Sequence, residues 1–187
     1  CGGESKGGKH AYMLLEECVP PVPDITKDEA LARLARNYFR SHTPATLQDF
    51  VWWSGLSVTE AKQGIYLIGS ELTEEQWKGQ TWYLHDSGRT RGSIKGHIRF
   101  LPPYDELLLG YKDRTDVLPS EHYSKAFTGN GLFFPVILYE GQIVGNWDRK
   151  VKRNGCDPGY SLFRQESRID EALLDKAQQQ YMQFLGK

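Results

Sequence analysis

The chain has 187 residues, room for one large domain or two small ones, and with 39% hydrophobic and 12% aromatic residues it reads as globular with a real core. A net charge of -1 excludes a uniformly basic chain, so any nucleic-acid surface must be a local patch. No apolar run approaches the ~20 residues of a membrane span, no signal peptide is present, and the cysteines Cys1, Cys18 and Cys156 form neither a disulfide framework nor a zinc pair, which points to reduced thiols in a cytoplasmic protein.

The chain opens at Cys1-Gly2-Gly3 without a methionine, and residues 1–24 are expected to be the remnant of a hairpin whose partner belongs to a missing N-terminal part. Cys1 to Lys9 is a Gly-rich turn, His10 to Leu15 a strand-like run, and Val19-Pro20-Pro21-Val22-Pro23 a stiff linker. The glycines lack the GxxxxGK[ST] spacing and precede a strand, so a turn is expected rather than a phosphate cradle.

Residues 25–86 carry three helix starts. Thr26 with Glu29, Thr46 with Asp49 and Ser57 with Glu60 each place a hydroxyl three residues before a carboxylate, the spacing that satisfies orphan amides at a helix N-terminus. The first helix should run from Asp28 to Ser41 on a stripe of Leu31, Leu34, Ala35, Tyr38 and Phe39. The second follows Pro44 and ends at Ser54-Gly55, with Phe50, Trp52, Trp53 and Leu56 as anchors. The third packs Val58, Ala61, Ile65 and Ile68 inward and turns Thr59, Lys62, Gln63 and Tyr66 outward. Strands Glu71 to Trp77 and Gln80 to His85, joined at Lys78-Gly79, complete a winged helix-turn-helix. The same trio plus hairpin also serves as a structural module, and its charge is little help to DNA binding. From Asp28 to Ile68 four acids meet four bases, and the hairpin sets Glu71, Glu74 and Glu75 against Lys78.

The basic residues lie further on, in residues 87–187. Asp86 to Arg99 holds four bases, Arg89, Arg91, Lys95 and Arg99, against one acid; a loop of Arg, Gly and Ser suits phosphate contact, though a solvated loop has the same composition. Leu132 to Tyr139 and Gln142 to Val151 form a hairpin about Glu140-Gly141. Its far arm holds Arg149, Lys150, Lys152 and Arg153 against Asp148, with alternation setting Arg149 and Arg153 on one face and Lys150 and Lys152 on the other. Tyr160 to Arg164 adds a strand. Ser167-Arg168-Ile169-Asp170 caps a last helix that buries Ile169, Leu173, Ala177, Tyr181 and Phe184. His97 and Arg99 alternate onto one face near the basic loop, and His97, Tyr104, Asp105 and Trp147 are pocket candidates; Asp105 is better read as a helix cap than as half of a catalytic carboxylate pair. No histidine pair has metal spacing and no GxSxG, HExxH or GxGxxG occurs, so no metal or cofactor is expected.

Tyr12-Met13-Leu14-Leu15-Glu16-Glu17, Trp52-Trp53-Ser54-Gly55-Leu56 behind Pro44-Ala45-Thr46, Leu101-Pro102-Pro103-Tyr104-Asp105 with Leu107-Leu108-Leu109, and Gly145-Asn146-Trp147 together resemble one family. It is the winged-helix DNA-binding family of AlkZ/YcaQ-like DNA glycosylases, which unhook interstrand crosslinks. The resemblance spans nearly the whole chain and implies an α+β, tandem winged-helix architecture around a β-barrel-like core, acting on damaged bases in duplex DNA. The family's catalytic Gln-x-Gln or Gln-x-Asp signature belongs to its N-terminal part; Gln178-Gln179-Gln180 matches by letters only, and no catalytic residue is assigned. The expected function is thus the DNA-binding portion of a repair protein. The alternative is a non-catalytic winged-helix regulator or protein-interaction module.

Overall fold

The computed structural model describes residues 7–21, 23–88, 92–152, 155–164 and 169–184, with 150–152 and 155–157 described by backbone alone. Its helices are α1 (Leu15–Cys18), α2 (Lys27–Ser41), α3 (Leu47–Ser54), α4 (Val58–Leu67), α5 (Glu106–Leu109), α6 (Tyr123–Ala126) and α7 (Glu171–Phe184). Its strands are β1 (Ala45–Thr46), β2 (Leu72–Trp77), β3 (Gln80–His85), β4 (Ile98–Leu101), β5 (Val136–Tyr139), β6 (Gln142–Lys152) and β7 (Gly155–Leu162). They form two antiparallel sheets, ordered β1-β3-β2 and β4-β5-β6-β7. None of the described helices is long and apolar enough to cross a membrane.

All three capping boxes close as their spacing requires, at Thr26/Glu29, Thr46/Asp49 and Ser57/Glu60. Gly55 ends α3 in the left-handed conformation (φ 70°), and three residues later α4 has begun. α4 lies close on α2, because a Cβ at Gly64 would stand 3.2 Å from the Leu31 carbonyl oxygen and 3.3 Å from the Ala35 Cβ. Around that contact Tyr38, Phe39, Phe50 and Ile68 are fully buried, with the Tyr38 and Phe50 rings 5.1 Å apart.

The second sheet is covered on both faces. α7 lays Leu174 and Ala177 over Ile98, Ile137 and Trp147, while Leu108, Leu118 and Ala126 pack against Val136 and Ile143. Between Ile137 and Leu138 the β5–β6 register slips, from Ile137↔Gly145 to Leu138↔Ile143, so Val144 is an extra residue and the alternation of β6 inverts there. β5 pairs with β6 only as far as Asn146, and beyond it β6 and β7 continue as a two-stranded arm. The two sheets meet through residues 105–114. The Tyr38 hydroxyl donates to the Gly110 carbonyl (2.9 Å), the Tyr111 hydroxyl to the His42 carbonyl (3.1 Å), and the Lys112 amide to Asp49 Oδ1 (2.8 Å).

Several expectations are corrected. Residues 10–15 do not form a strand; Leu15–Cys18 is one helical turn, and Tyr12, Leu14 and Leu15 are exposed. Trp52 is 53% exposed, because its short helix turns Phe50 inward and Trp52 outward onto the Leu109 carbonyl. Val58 and Phe184 are also exposed, since each lies at an end of its helix, and α7 buries Leu174 with Ala177. Glu71 belongs to a single 3-10 turn, and β5 begins at Val136, after Pro135, which has no amide to give a ladder. β7 runs Gly155–Leu162, earlier than the strand expected at Tyr160 to Arg164. Asp170 caps α7, accepting from the Ala172 amide at 2.9 Å; Ser167 and Arg168 lie outside the described residues.

Candidate nucleic-acid interface

α4 presents its outer face as the apolar spacing demands: Ala61, Gly64 and Ile65 are buried, while Thr59, Lys62, Gln63 and Tyr66 are exposed, Tyr66 at 79%. Lys62 is the one cation of α4, and Glu60, on its first turn, is paired with Lys27 at 2.8 Å. Hydrogen bonds from Lys27 and from the Ser57 hydroxyl and amide, with the nearby Lys27 charge, lower the Glu60 carboxyl to about 2. The β2–β3 turn, with Lys78 and Gly79 both at positive φ, is the tight hairpin that its sequence announced. Its lysine is not free. Lys78 pairs with Asp116 and lies 4.3 Å from the centre of the Trp77 ring.

Around the second sheet the cations stand differently. Lys95, His97 and Arg99 are exposed, and His97 and Arg99 line one cavity of about 320 Å³ with Ile94 and Leu138, as their alternation implied. The Glu140 carboxylate holds this loop by accepting from the Gly96 amide at 2.6 Å. Arg99 gives one guanidinium N–H to the Ile98 carbonyl and turns the rest to solvent. Arg149 is exposed on the β6–β7 arm. Lys150 and Lys152 occupy arm positions opposite Asp157 and Gly155, and Arg89, Arg91 and Arg153 lie outside the described residues.

The pairing fixes where these groups sit relative to one another. Ile98 pairs with Tyr139 and Tyr139 with Gln142, so the start of β4 stands at the near end of β6, and Arg149 lies seven residues further along it, roughly 23 Å at the rise of a strand. Ile98 and Phe100 face α7, which puts Arg99 on the opposite face, whereas Trp147 packs under α7 and Arg149 follows it by two residues. Arg99 and Arg149 therefore mark opposite ends and opposite faces of the sheet.

The four pocket candidates do not converge. Trp147 is core, 7% exposed, stacked on Phe100 and donating Nε1–H to the Leu101 carbonyl at 2.7 Å. Asp105 caps α5 by accepting from the Leu107 amide at 2.9 Å, and its neighbour Glu106 reaches His42 at 3.2 Å. Tyr104 stands half exposed at positive φ (61°), its ring 5.9 Å from Phe133. Gln178 donates to the Pro158 carbonyl, a structural contact.

Sequence reasoning missed Arg114. It is 8% exposed and donates to the Leu108 and Lys112 carbonyls, with Trp52, Phe127 and Phe133 within 5.7 Å of its guanidinium. It also missed the cleft where Trp77 and Trp82 face Tyr111, Asp113 and Asp116. The available signal was the pair of tryptophans flanking a two-residue turn, which a tight hairpin must bring to one face.

A family model described as DNA glycosylase AlkZ-like matches residues 2–184. An interstrand DNA cross-link repair glycosylase of Streptomyces sahachiroi is 27% identical over 161 residues, 79% of this chain and 42% of its own length. The solved structure of Streptomyces sahachiroi DNA glycosylase AlkZ superposes with a TM-score of 0.77 at 23% identity, over 95% of this chain and 49% of that one, a likeness of fold. The chain thus spans less than half the length of either relative.

Proposed function

The chain belongs to the AlkZ-like DNA glycosylase family, and from that premise we propose that it is the DNA-binding portion of a DNA repair protein. In this reading residues 25–86 act as a winged helix-turn-helix, 87–187 as a second DNA-facing unit, and 1–24 as the connection to a further part of the protein. The carrying observation is the contrast in cations within a chain that matches the family almost end to end. On the face a helix-turn-helix would dock, the hairpin tip has its lysine on Asp116 and α4 offers Lys62 alone, with Arg33 and Arg40 exposed on α2 instead, whereas Lys95, Arg99 and Arg149 stand in solvent without a carboxylate partner among the described residues. Phosphate contacts need unpaired Lys and Arg, because affinity comes from releasing the counterions they replace.

The proposed contacts are Lys95 and Arg99, with Arg89 and Arg91 beside them in sequence, and Arg149 on the arm with Lys150, Lys152 and Arg153. Because Arg99 and Arg149 stand on opposite faces of the sheet, the two groups are separate phosphate-contact surfaces rather than one patch. Thr59, Lys62, Gln63 and Tyr66 are secondary. The relative is an interstrand DNA cross-link repair glycosylase, which supports crosslinked duplex as the substrate class of the whole protein. A glycosylase must also extrude the nucleotide and stabilise a cationic sugar, and we assign no residue of this chain to that step, so this portion binds without cleaving.

A protein-interaction module is the second reading. It is favoured by exposed Trp52, Tyr104 and Leu132, which lie about the Arg114–Phe133 contact or beside it in sequence. Duplex titration at several salt concentrations tests the first reading, which requires salt-sensitive binding that weakens in Lys95→Ala/Arg99→Ala and in Arg149→Ala.

A further inference from the structure

Between the β2–β3 hairpin and residues 107–117 lies a cavity of about 240 Å³ with Trp77, Trp82 and Tyr111 as aromatic walls and Asp113, Asp116 and Arg114 as its charged ones. The two indoles stand 5.4 Å apart at 62°, and Trp82 Nε1–H donates to the Trp77 carbonyl at 3.3 Å, which fixes their relation. Arg114 is directed elsewhere, onto the Leu108 and Lys112 carbonyls and among Trp52, Phe127 and Phe133. Asp113 accepts from the Thr115 amide and hydroxyl, which hold it below the usual carboxylate range and keep it ionised at neutral pH. The walls therefore offer ring faces and negative charge together. With Asp116 already paired to Lys78, a neutral apolar ligand would leave Asp113 without a partner there.

An adjoining cavity, lined by Lys78 and sharing Trp82, Asp113 and Asp116 with this one, illustrates what such walls hold. The Lys78 ammonium lies 4.3 Å from the centre of the Trp77 ring and pairs with Asp116, while its side chain remains more than half exposed. A cation over an indole face beside a carboxylate is the arrangement by which aromatic cages take alkylated ammonium groups. We propose that this cleft is a binding site for a small organic cation of the alkylammonium class, taken in competition with Lys78. The site does not depend on the DNA reading, and no phosphate contact proposed above lies in it.

The test is calorimetric titration of the whole chain with choline at constant ionic strength, beside the neutral isostere in which a tert-butyl group replaces the trimethylammonium. Choline should bind at least about tenfold more tightly than the isostere. Lys78→Met removes the internal competitor and should tighten choline several-fold, whereas Trp77→Leu and Asp116→Asn should each weaken it about tenfold. Near-UV circular dichroism checks that each variant is folded; should Trp77→Leu unfold, Lys78→Met and Asp116→Asn decide between them. Equal affinity for the two probes, absence of choline binding to the Lys78→Met protein, or an affinity there no higher than that of the parent chain overturns the proposal.

Discussion

In the unit built on α2, α3 and α4, three cations are tied to carboxylates, Lys27 to Glu60 and Arg36 to Glu71, each at 2.8 Å, and Lys78 to Asp116, while Arg33, Arg40 and Lys62 face solvent. Around the four-stranded sheet Arg164 is paired with Glu121, but Lys95, Arg99 and Arg149 face solvent. Pairs as exposed as Lys27–Glu60 contribute little stability, yet a lysine held by a carboxylate releases no counterion when DNA approaches. Both units thus hold paired cations and solvent-facing ones; what differs is that α4 and the hairpin tip, the face a helix-turn-helix would dock, offer Lys62 alone. Groups that fix geometry should cost stability when removed and leave DNA affinity unchanged.

Arg114→Met should show the largest such cost, about 3 kcal/mol in urea unfolding, because it strips the Leu108 and Lys112 carbonyls of a buried charged donor. Arg114→Lys should not restore it, since an ammonium cannot reproduce the planar fork. Asp49→Ala should follow at about 2 kcal/mol, as one carboxylate accepts from the Thr46 amide and hydroxyl and from the Lys112 amide, capping α3 and joining the units at once. Tyr38→Phe, which silences only the bond to Gly110, should cost about 1 kcal/mol. If any of these weakens duplex binding in the folded variant, the division between the two units is wrong.

The smallest effect is in acid. Glu60 is lowered from 4.5 to about 2, so the stability it lends is complete above 4.5 and is lost as pH falls toward 2. Lys27→Met removes the leading cause and should flatten that part of the profile of urea midpoint against pH, with little change at neutral pH.

How much of this was legible follows from the range of each interaction. The three capping boxes, the αL glycine at Gly55 and the hairpin turns at Lys78-Gly79 and Glu140-Gly141 are set by residues within a few positions of one another, and the sequence shows them directly. The Lys78–Asp116 pair joins residues 38 apart, and the Asp49–Lys112 bond residues 63 apart, so neither leaves a local pattern. Trp52 was misjudged because an apolar residue on a short helix has no periodicity to say which face it takes. The β6 bulge defeats counting by twos along the strand, which is why the relation of Arg149 to Arg99 needed the pairing itself. Arg114 looked like a surface charge because the rings that surround it come from α3 and from residues 127–133.

The most direct measurement compares the salt dependence of duplex binding for the parent chain, Lys95→Ala/Arg99→Ala, Arg149→Ala and Lys62→Ala/Gln63→Ala. Each phosphate contact removed should reduce the slope of log K against log salt by about 0.9, so the first variant should lose up to about two contacts' worth and the second about one, while the α4 variant keeps the parent slope. A loss of slope and affinity confined to Lys62→Ala/Gln63→Ala would place DNA on α4 and contradict the assignment to the second unit.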